Sequence, residues 1–158
     1  MKVQNLWRQF PIETFILSWG GSGFLPKAPG TWGTLFTIPL IYFFSYINLT
    51  QIYFTIFIIA LTFFSIFLAQ RVQTKLSLKD PQWIVIDEVI GFSICWNFIY
   101  VFDLKTVITS FILFRFFDIV KIWPASYFDK LSHGAGTILD DVISGFYAGF
   151  VLMIVQKF

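Results

Sequence analysis

Gln51-Ile-Tyr-Phe-Thr-Ile-Phe-Ile-Ile-Ala-Leu-Thr-Phe-Phe-Ser-Ile-Phe-Leu-Ala-Gln70 contains no charged residue, no glycine and no proline. As a helix, about 20 such residues are enough to cross the hydrocarbon core of a bilayer. The charge-free stretch reaches back to Ala28, and its strongly polar cluster is Asn48-Leu-Thr-Gln51. The pattern predicts a helical hairpin with arms at about residues 34–47 and 51–70. Shorter charge-free runs follow at residues 89–102, 106–114 and 142–156. Across the 158 residues, 57% are hydrophobic and 13% charged, with a mean hydropathy of +0.76. Soluble domains carry about 25% charged residues, so this chain lacks the charge to coat a water-facing surface. The length supports one domain spanning residues 1–158.

Working outward, Pro11-Ile-Glu-Thr-Phe-Ile-Leu17 reads as a short amphipathic element at a membrane interface. The glycine- and proline-rich segment Gly20-Gly-Ser-Gly-Phe-Leu-Pro-Lys-Ala-Pro-Gly-Thr-Trp-Gly-Thr34 reads as a re-entrant loop. After the hairpin, Asp80-Pro81 resembles an N-cap followed by proline at the first helical position. The helix it opens would run to about residue 102, with Asp87 and Glu88 in its second turn. Two more helices are predicted at about residues 106–122 and 137–156, the first ending before Trp123-Pro124. The expectation is therefore an all-α, polytopic membrane protein of about five helices. Helices satisfy their backbone within one segment, as a spanning chain must.

Charge sets the orientation. With the hairpin crossing twice, one side holds Lys2, Arg8, Lys27, Arg71, Lys75, Lys79, Arg115, Lys121 and Lys130, and the other holds Lys105 and Lys157. The positive-inside rule places the first side in the cytoplasm. The same topology gathers the glycine loop, Asp87 and Glu88, the Arg115–Lys121 segment and Asp140 and Asp141 at one face. A net charge of +2 argues against nucleic acid as a partner. The single Cys95 permits no intramolecular disulfide. Residues 1–15 have no long apolar region followed by a small-residue cleavage site, so a cleaved signal peptide is not expected.

Several chemistries are excluded by what is missing. One histidine, His133, rules out mechanisms needing two. There is no Cys-x5-Arg loop, no Asp-x-Asp run and no Gly-x4-Gly-Lys-Ser/Thr motif. What remains is a set of carboxylates with a few bases, a donor set that suits Mg²⁺. Asp87-Glu88 stands near the start of an apolar helix, either as a functional pair or as an acidic first turn complementing the helix dipole. Asp140-Asp141 repeats the pattern, as metal ligands or as a cap with a solvated neighbour. Arg115, Asp118 and Lys121 share one face of a helix, as a salt-bridge stripe or as a phosphate grip in which Asp118 is a ligand or the orienter of the two bases. The glycine loop offers a bend for helix packing, or backbone N–H groups at Gly30 and Thr31 with Lys27 beside them. His133, in a loop, is either exposed or a general acid.

Taken in order, four segments resemble the phosphatidylglycerophosphatase A family. They are Gly21-Ser-Gly-Phe-Leu-Pro-Lys-Ala-Pro-Gly-Thr-Trp-Gly-Thr34, Trp83-Ile-Val-Ile-Asp-Glu-Val-Ile-Gly91, Phe114-Arg-Phe-Phe-Asp-Ile-Val-Lys-Ile-Trp-Pro124 and His133-Gly-Ala-Gly-Thr-Ile-Leu-Asp-Asp-Val-Ile-Ser-Gly145. The resemblance implies Mg²⁺-dependent hydrolysis of phosphatidylglycerophosphate to phosphatidylglycerol and phosphate in the bacterial cytoplasmic (inner) membrane. It implies Asp87, Glu88, Asp118, Asp140 and Asp141 as the acidic, metal-holding site, and Arg115 and Lys121 as phosphate contacts. Water activated at the metal, or Asp87 or Asp141 itself, would attack phosphorus, with His133 or a metal-bound water the candidate proton donor to the leaving alkoxide. Two rival classes are a small transporter or scaffold, and a CDP-alcohol phosphotransferase. The first expects polar groups along a path across the bilayer, and the second a longer aspartate signature that this chain lacks.

Overall fold

The computed structural model describes residues 3–47, 50–99, 102–132 and 134–156. Asn48, read as part of the hairpin turn, and His133 lie outside the described residues. Among the described residues there are eight α-helices and no strand: α1 (Val3–Gln9), α2 (Pro11–Leu17), α3 (Pro29–Tyr46), α4 (Gln51–Leu76), α5 (Ile86–Trp96), α6 (Leu104–Val120), α7 (Ala125–Phe128) and α8 (Gly134–Val155). The all-helical expectation holds. The count of five corresponds to α3, α4, α5, α6 and α8, to which three short helices are added.

Several boundaries differ from expectation, α4 running on to Leu76 and α5 stopping at Trp96 rather than at about residue 102, and three of them have a local reason. The glycine- and proline-rich segment is not loop throughout, because α3 starts at Pro29 and takes in Gly30 and Gly33. Proline preset for the first helical turn begins the helix, after Ala28 at φ +54. The loop that remains holds a short 3₁₀ turn, Ser22–Phe24. Second, Asp80 is not an N-cap. It stands at φ +46, and the chain continues irregularly until Val85 N–H donates to the Leu17 carbonyl at 2.9 Å, with α5 beginning one residue later. Asp87 and Glu88 thus occupy the first helical turn. Third, α8 begins at Gly134 rather than 137, which moves Asp140 and Asp141 into its second turn and excludes a capping role.

α5 is the centre of the molecule, with every residue but Glu88 buried. At 11 residues it is about 16 Å long, roughly half a hydrocarbon core. α8 lies across it with almost no separation. A Cβ on Gly145 would stand 2.2 Å from the Gly91 carbonyl oxygen, and one on Gly91 would stand 2.5 Å from the Asp141 carbonyl oxygen. Only glycine at both positions lets the two backbones touch. Phe114 of α6 closes the other side of Gly91. α4 packs on α8 at Gly134 and through a hydrogen bond from Gln73 Nε2 to Thr137 Oγ1 of 2.8 Å. Glu13 of α2 meets Arg71 of α4 at 3.3 Å.

The helices are apolar outward as well as inward. Phe43, Tyr46, Phe63, Phe67, Ile112 and Phe150 are all exposed. Hydroxyls such as those of Thr34, Thr37 and Thr62 are satisfied by the carbonyl one turn back. α4 and α8 are each long and apolar enough to cross a membrane.

Candidate active site

One end of the bundle carries a cleft of about 340 Å³, and the helix ends build it. α3 contributes Gly30 with the preceding Ala28, α5 contributes Asp87 and Glu88, α6 contributes Arg115 and Asp118, and α8 contributes Asp140 and Asp141. Lys121, which follows α6, and Asp80 and Gln82, in the segment before α5, complete the wall. Three acidic segments and two bases that are distant in sequence therefore share a single cleft, as the topology predicts.

The floor is acidic and nearly closed to solvent. Asp87, Asp140 and Asp141 are 9%, 4% and 3% exposed. One oxygen each from Asp87, Glu88 and Asp141 lies within 4.8 Å of the other two. The Gly91–Gly145 crossing produces this convergence: each glycine follows its aspartate by four residues, so bringing the glycines together stacks the aspartates one turn away. Gly30 makes room for the third donor, since a Cβ there would stand 1.9 Å from Glu88 Oε1.

Cations flank the floor on two sides. Arg115 Nη1 is 2.6 Å from Asp118 Oδ2 and 3.7 Å from Glu88 Oε1, yet it makes no hydrogen bond and is buried. Lys121 Nζ hydrogen-bonds Asp140 Oδ2 at 2.6 Å and also Asp129 Oδ1. Burial works against the charged form of Lys121, but its bonds to Asp129 and Asp140 outweigh that and raise its pKa. Asp80 is held above the usual carboxylate range by desolvation, which the nearby Lys121 partly offsets.

Carboxylates outnumber cations here, and the balance has a structural signature. Glu88 Oε2 and Asp140 Oδ1 are buried with no hydrogen-bond donor. Buried carboxylate oxygens ordinarily find a donor or a cation. Hard oxygen donors converging on one point, with lone pairs unmet, fit a divalent cation of the Mg²⁺ type. Asp87, Glu88 and Asp141 are best placed to hold it, since Asp118 and Asp140 already engage Arg115 and Lys121.

Of the residues expected from sequence, Asp87, Glu88, Arg115, Asp118, Lys121, Asp140, Asp141 and Gly30 all line the cleft. Lys27 and Thr31 do not. Lys27 is exposed at φ +60, and the Thr31 N–H is spent on the Ala28 carbonyl at 3.0 Å. Sequence reasoning missed Asp80, read as a cap, and Asp129, which has no motif to mark it.

The family model for phosphatidylglycerophosphatase A matches residues 15–156. A Haemophilus influenzae phosphatidylglycerophosphatase A is 37% identical over 92% of this chain and 89% of its own length. One from Escherichia coli is 29% identical over 96% and 84%. A Bacteroides thetaiotaomicron protein, provisionally named a phosphatidylinositol-3-phosphatase, is 34% identical over 87% and 88%. No solved structure gives a significant match.

Proposed function

The chain belongs to the phosphatidylglycerophosphatase A family and is a phosphatase, and on that premise we propose that it hydrolyses phosphatidylglycerophosphate to phosphatidylglycerol and phosphate, with Mg²⁺, at the cytoplasmic face of the bacterial inner membrane. The observation that carries the reading is the cleft itself, where a triad of largely buried carboxylates faces two tethered cations. The names of the two phosphatidylglycerophosphatase relatives supply the substrate. Membrane embedding is supported by α4 and α8 and by the outward apolar faces of α3 and α6. At about 27 Å and 26 Å, α3 and α6 are themselves close to bilayer thickness. At 11 residues α5 is too short to cross alone; it leads from the cleft end toward the far end, where Phe102 packs on Trp96 and Tyr42. Five such passes leave Arg71, Lys75 and the cleft on one side and Lys105 on the other, which the positive-inside rule assigns to the cytoplasm and the exterior.

In the proposed reaction the phosphate monoester enters from the membrane surface and its lipid tail stays outside. Arg115, held by Asp118, directs its free N–H groups at the non-bridging oxygens. Lys121 adds a point charge from the opposite wall. Together they stabilise charge that grows on those oxygens in the transition state. In this mechanism Asp87 or Asp141 would either attack phosphorus or take the proton from an attacking water. Held by Asp87, Glu88 and Asp141, with Asp118 and Asp140 adjoining, Mg²⁺ would supply Lewis-acid polarisation of the phosphate. His133 remains the candidate proton donor to the leaving alkoxide.

The test is phosphate release from phosphatidylglycerophosphate in mixed micelles by purified protein. EDTA should abolish turnover and added Mg²⁺ should restore it, while Asp141→Asn should lower kcat by about 10³-fold. Activity that survives both EDTA and Asp141→Asn would sink the metal–carboxylate mechanism. The Bacteroides relative favours a second head group, so phosphatidylinositol 3-phosphate belongs in the same assay. Faster turnover of that lipid would reassign the substrate and leave the chemistry intact.

A further inference from the structure

Lys121 is a costly place for a lysine. It ends α6 at φ +48, a left-handed conformation that favours glycine. The bond that closes the helix, Lys121 N–H to the Phe117 carbonyl at 2.9 Å, would form as well from glycine. A lysine at this turn is therefore explained by where its side chain goes. The ammonium bridges two carboxylates on separate segments: Asp140 of α8, at 2.6 Å, and Asp129, which follows α7. The two partners differ in depth, the Asp140 side chain being 6% exposed and the Asp129 side chain 43%. α7 places Asp129. Its Ala125 is fully buried, and the preceding segment is pinned to α8 by a hydrogen bond from Tyr147 O–H to the Trp123 carbonyl at 2.8 Å.

We propose that Asp129 is a positioning residue for the phosphatase reaction, holding the Lys121 ammonium at the rim of the cleft against the pull of the acidic floor. The inference rests on the functional reading above, in which Lys121 grips the substrate phosphate. Asp140 and Asp141 both draw the ammonium inward. Already bonded to Asp140 at the edge of the floor, without an outer partner it would turn further inward toward Asp141, leaving the mouth without its second cation. Asp129 supplies the opposing attraction from outside, so the ammonium stands between rim and floor where an incoming phosphate meets it. Asp129 touches neither substrate nor floor in this arrangement and acts through Lys121 alone.

The experiment is a double-mutant cycle on phosphatidylglycerophosphate in mixed micelles, with inorganic phosphate as a competing product. Asp129→Asn should lower kcat/KM by about tenfold, mostly through KM, and should raise the inhibition constant for inorganic phosphate by a similar factor. Lys121→Met should lower kcat/KM by about 100-fold, and adding Asp129→Asn to it should change nothing beyond about twofold. Asp129→Glu should recover most of the lost affinity, and the Tm of Asp129→Asn in detergent should match wild type. Because Asp129 is exposed, Asp129→Ser serves as an independent second variant. An Asp129→Asn enzyme equal to an active wild type overturns the proposal, as does a loss that adds in full to that of Lys121→Met. A wild-type protein that releases phosphate from no lipid overturns the functional reading itself, and the role of the pair with it.

Discussion

Two stretches of the chain share one frame: Asp87-Glu-Val-Ile-Gly91 in α5 and Asp141-Val-Ile-Ser-Gly145 in α8. In each, an aspartate precedes by one helical turn a glycine that touches the opposite backbone. The acids are thus placed alike, but their cations are not. On the α5 side Glu88 faces Arg115, whose tether Asp118 lies on the same helix at i+3, with both side chains under 20% exposed. On the α8 side Asp140 faces Lys121, whose outer tether comes from a different segment and is 43% exposed. The arginine arm is built into one helix, while the lysine arm is assembled from three parts of the chain and opens to solvent. A buried guanidinium with fixed donors sets the orientation of a phosphate, whereas an ammonium at the rim adapts to it. The crossing fixes the acids, and in the proposed reaction the two arms would divide the work of holding the anion.

Among the variants that test this contrast, breaking the crossing should have the largest effect. Gly145→Ala puts a methyl 2.2 Å from a backbone oxygen that cannot rotate away. The helices must separate, at about 3 kcal/mol, and the Asp87–Asp141 geometry goes with them, lowering kcat/KM by about 100-fold. At Gly149 the added methyl meets the Phe98 ring at 2.3 Å, a side chain rather than backbone and one that borders a cavity, so Gly149→Ala should be milder in both Tm and turnover. Gly145→Ala protein with wild-type Tm and activity would show that the crossing does not set the acids. Exchanging the cations sharpens the contrast between arms. Arg115→Lys loses the fork and should cost about 30-fold in kcat/KM, while Lys121→Arg keeps a charge at the rim and should stay within about tenfold. The reverse order would assign the rigid grip to Lys121.

How much of this was legible beforehand follows from the range of each interaction. The helices of the charge-free runs were readable because composition alone forces them, and the cleft acids because adjacent carboxylates in apolar surroundings need a reason. Helix starts were not readable where tertiary contacts decide them. α5 begins at Ile86 because Val85 bonds to Leu17, some 70 residues earlier in the chain. The glycines at positions 30 and 33 read as loop, yet they are helical and small because Glu88 and Val85 press on them. Asp129 carried no local signal at all; its meaning lies in a lysine eight residues before it and an aspartate eleven residues after it.

The smallest expected effect concerns the other lysine read from sequence as a phosphate contact. Lys27 and Lys121 both occupy left-handed backbone, at φ +60 and +48, but only Lys121 has carboxylate partners among the described residues and lines the cleft. Lys27 is exposed on the loop before α3, at the end of the molecule that would face anionic head groups. On the proposed orientation a lysine there would attract the surface and leave the reaction alone, a contribution worth about 1 kcal/mol near an anionic membrane. Lys27→Ala should therefore raise KM on anionic vesicles by about fivefold or less with kcat unchanged. The difference should vanish at high ionic strength, where the surface potential is screened within a few ångströms. A fall in kcat, or a KM effect that persists in salt and on neutral micelles, would bring the loop into the cleft and make Lys27 a third arm beside Arg115 and Lys121.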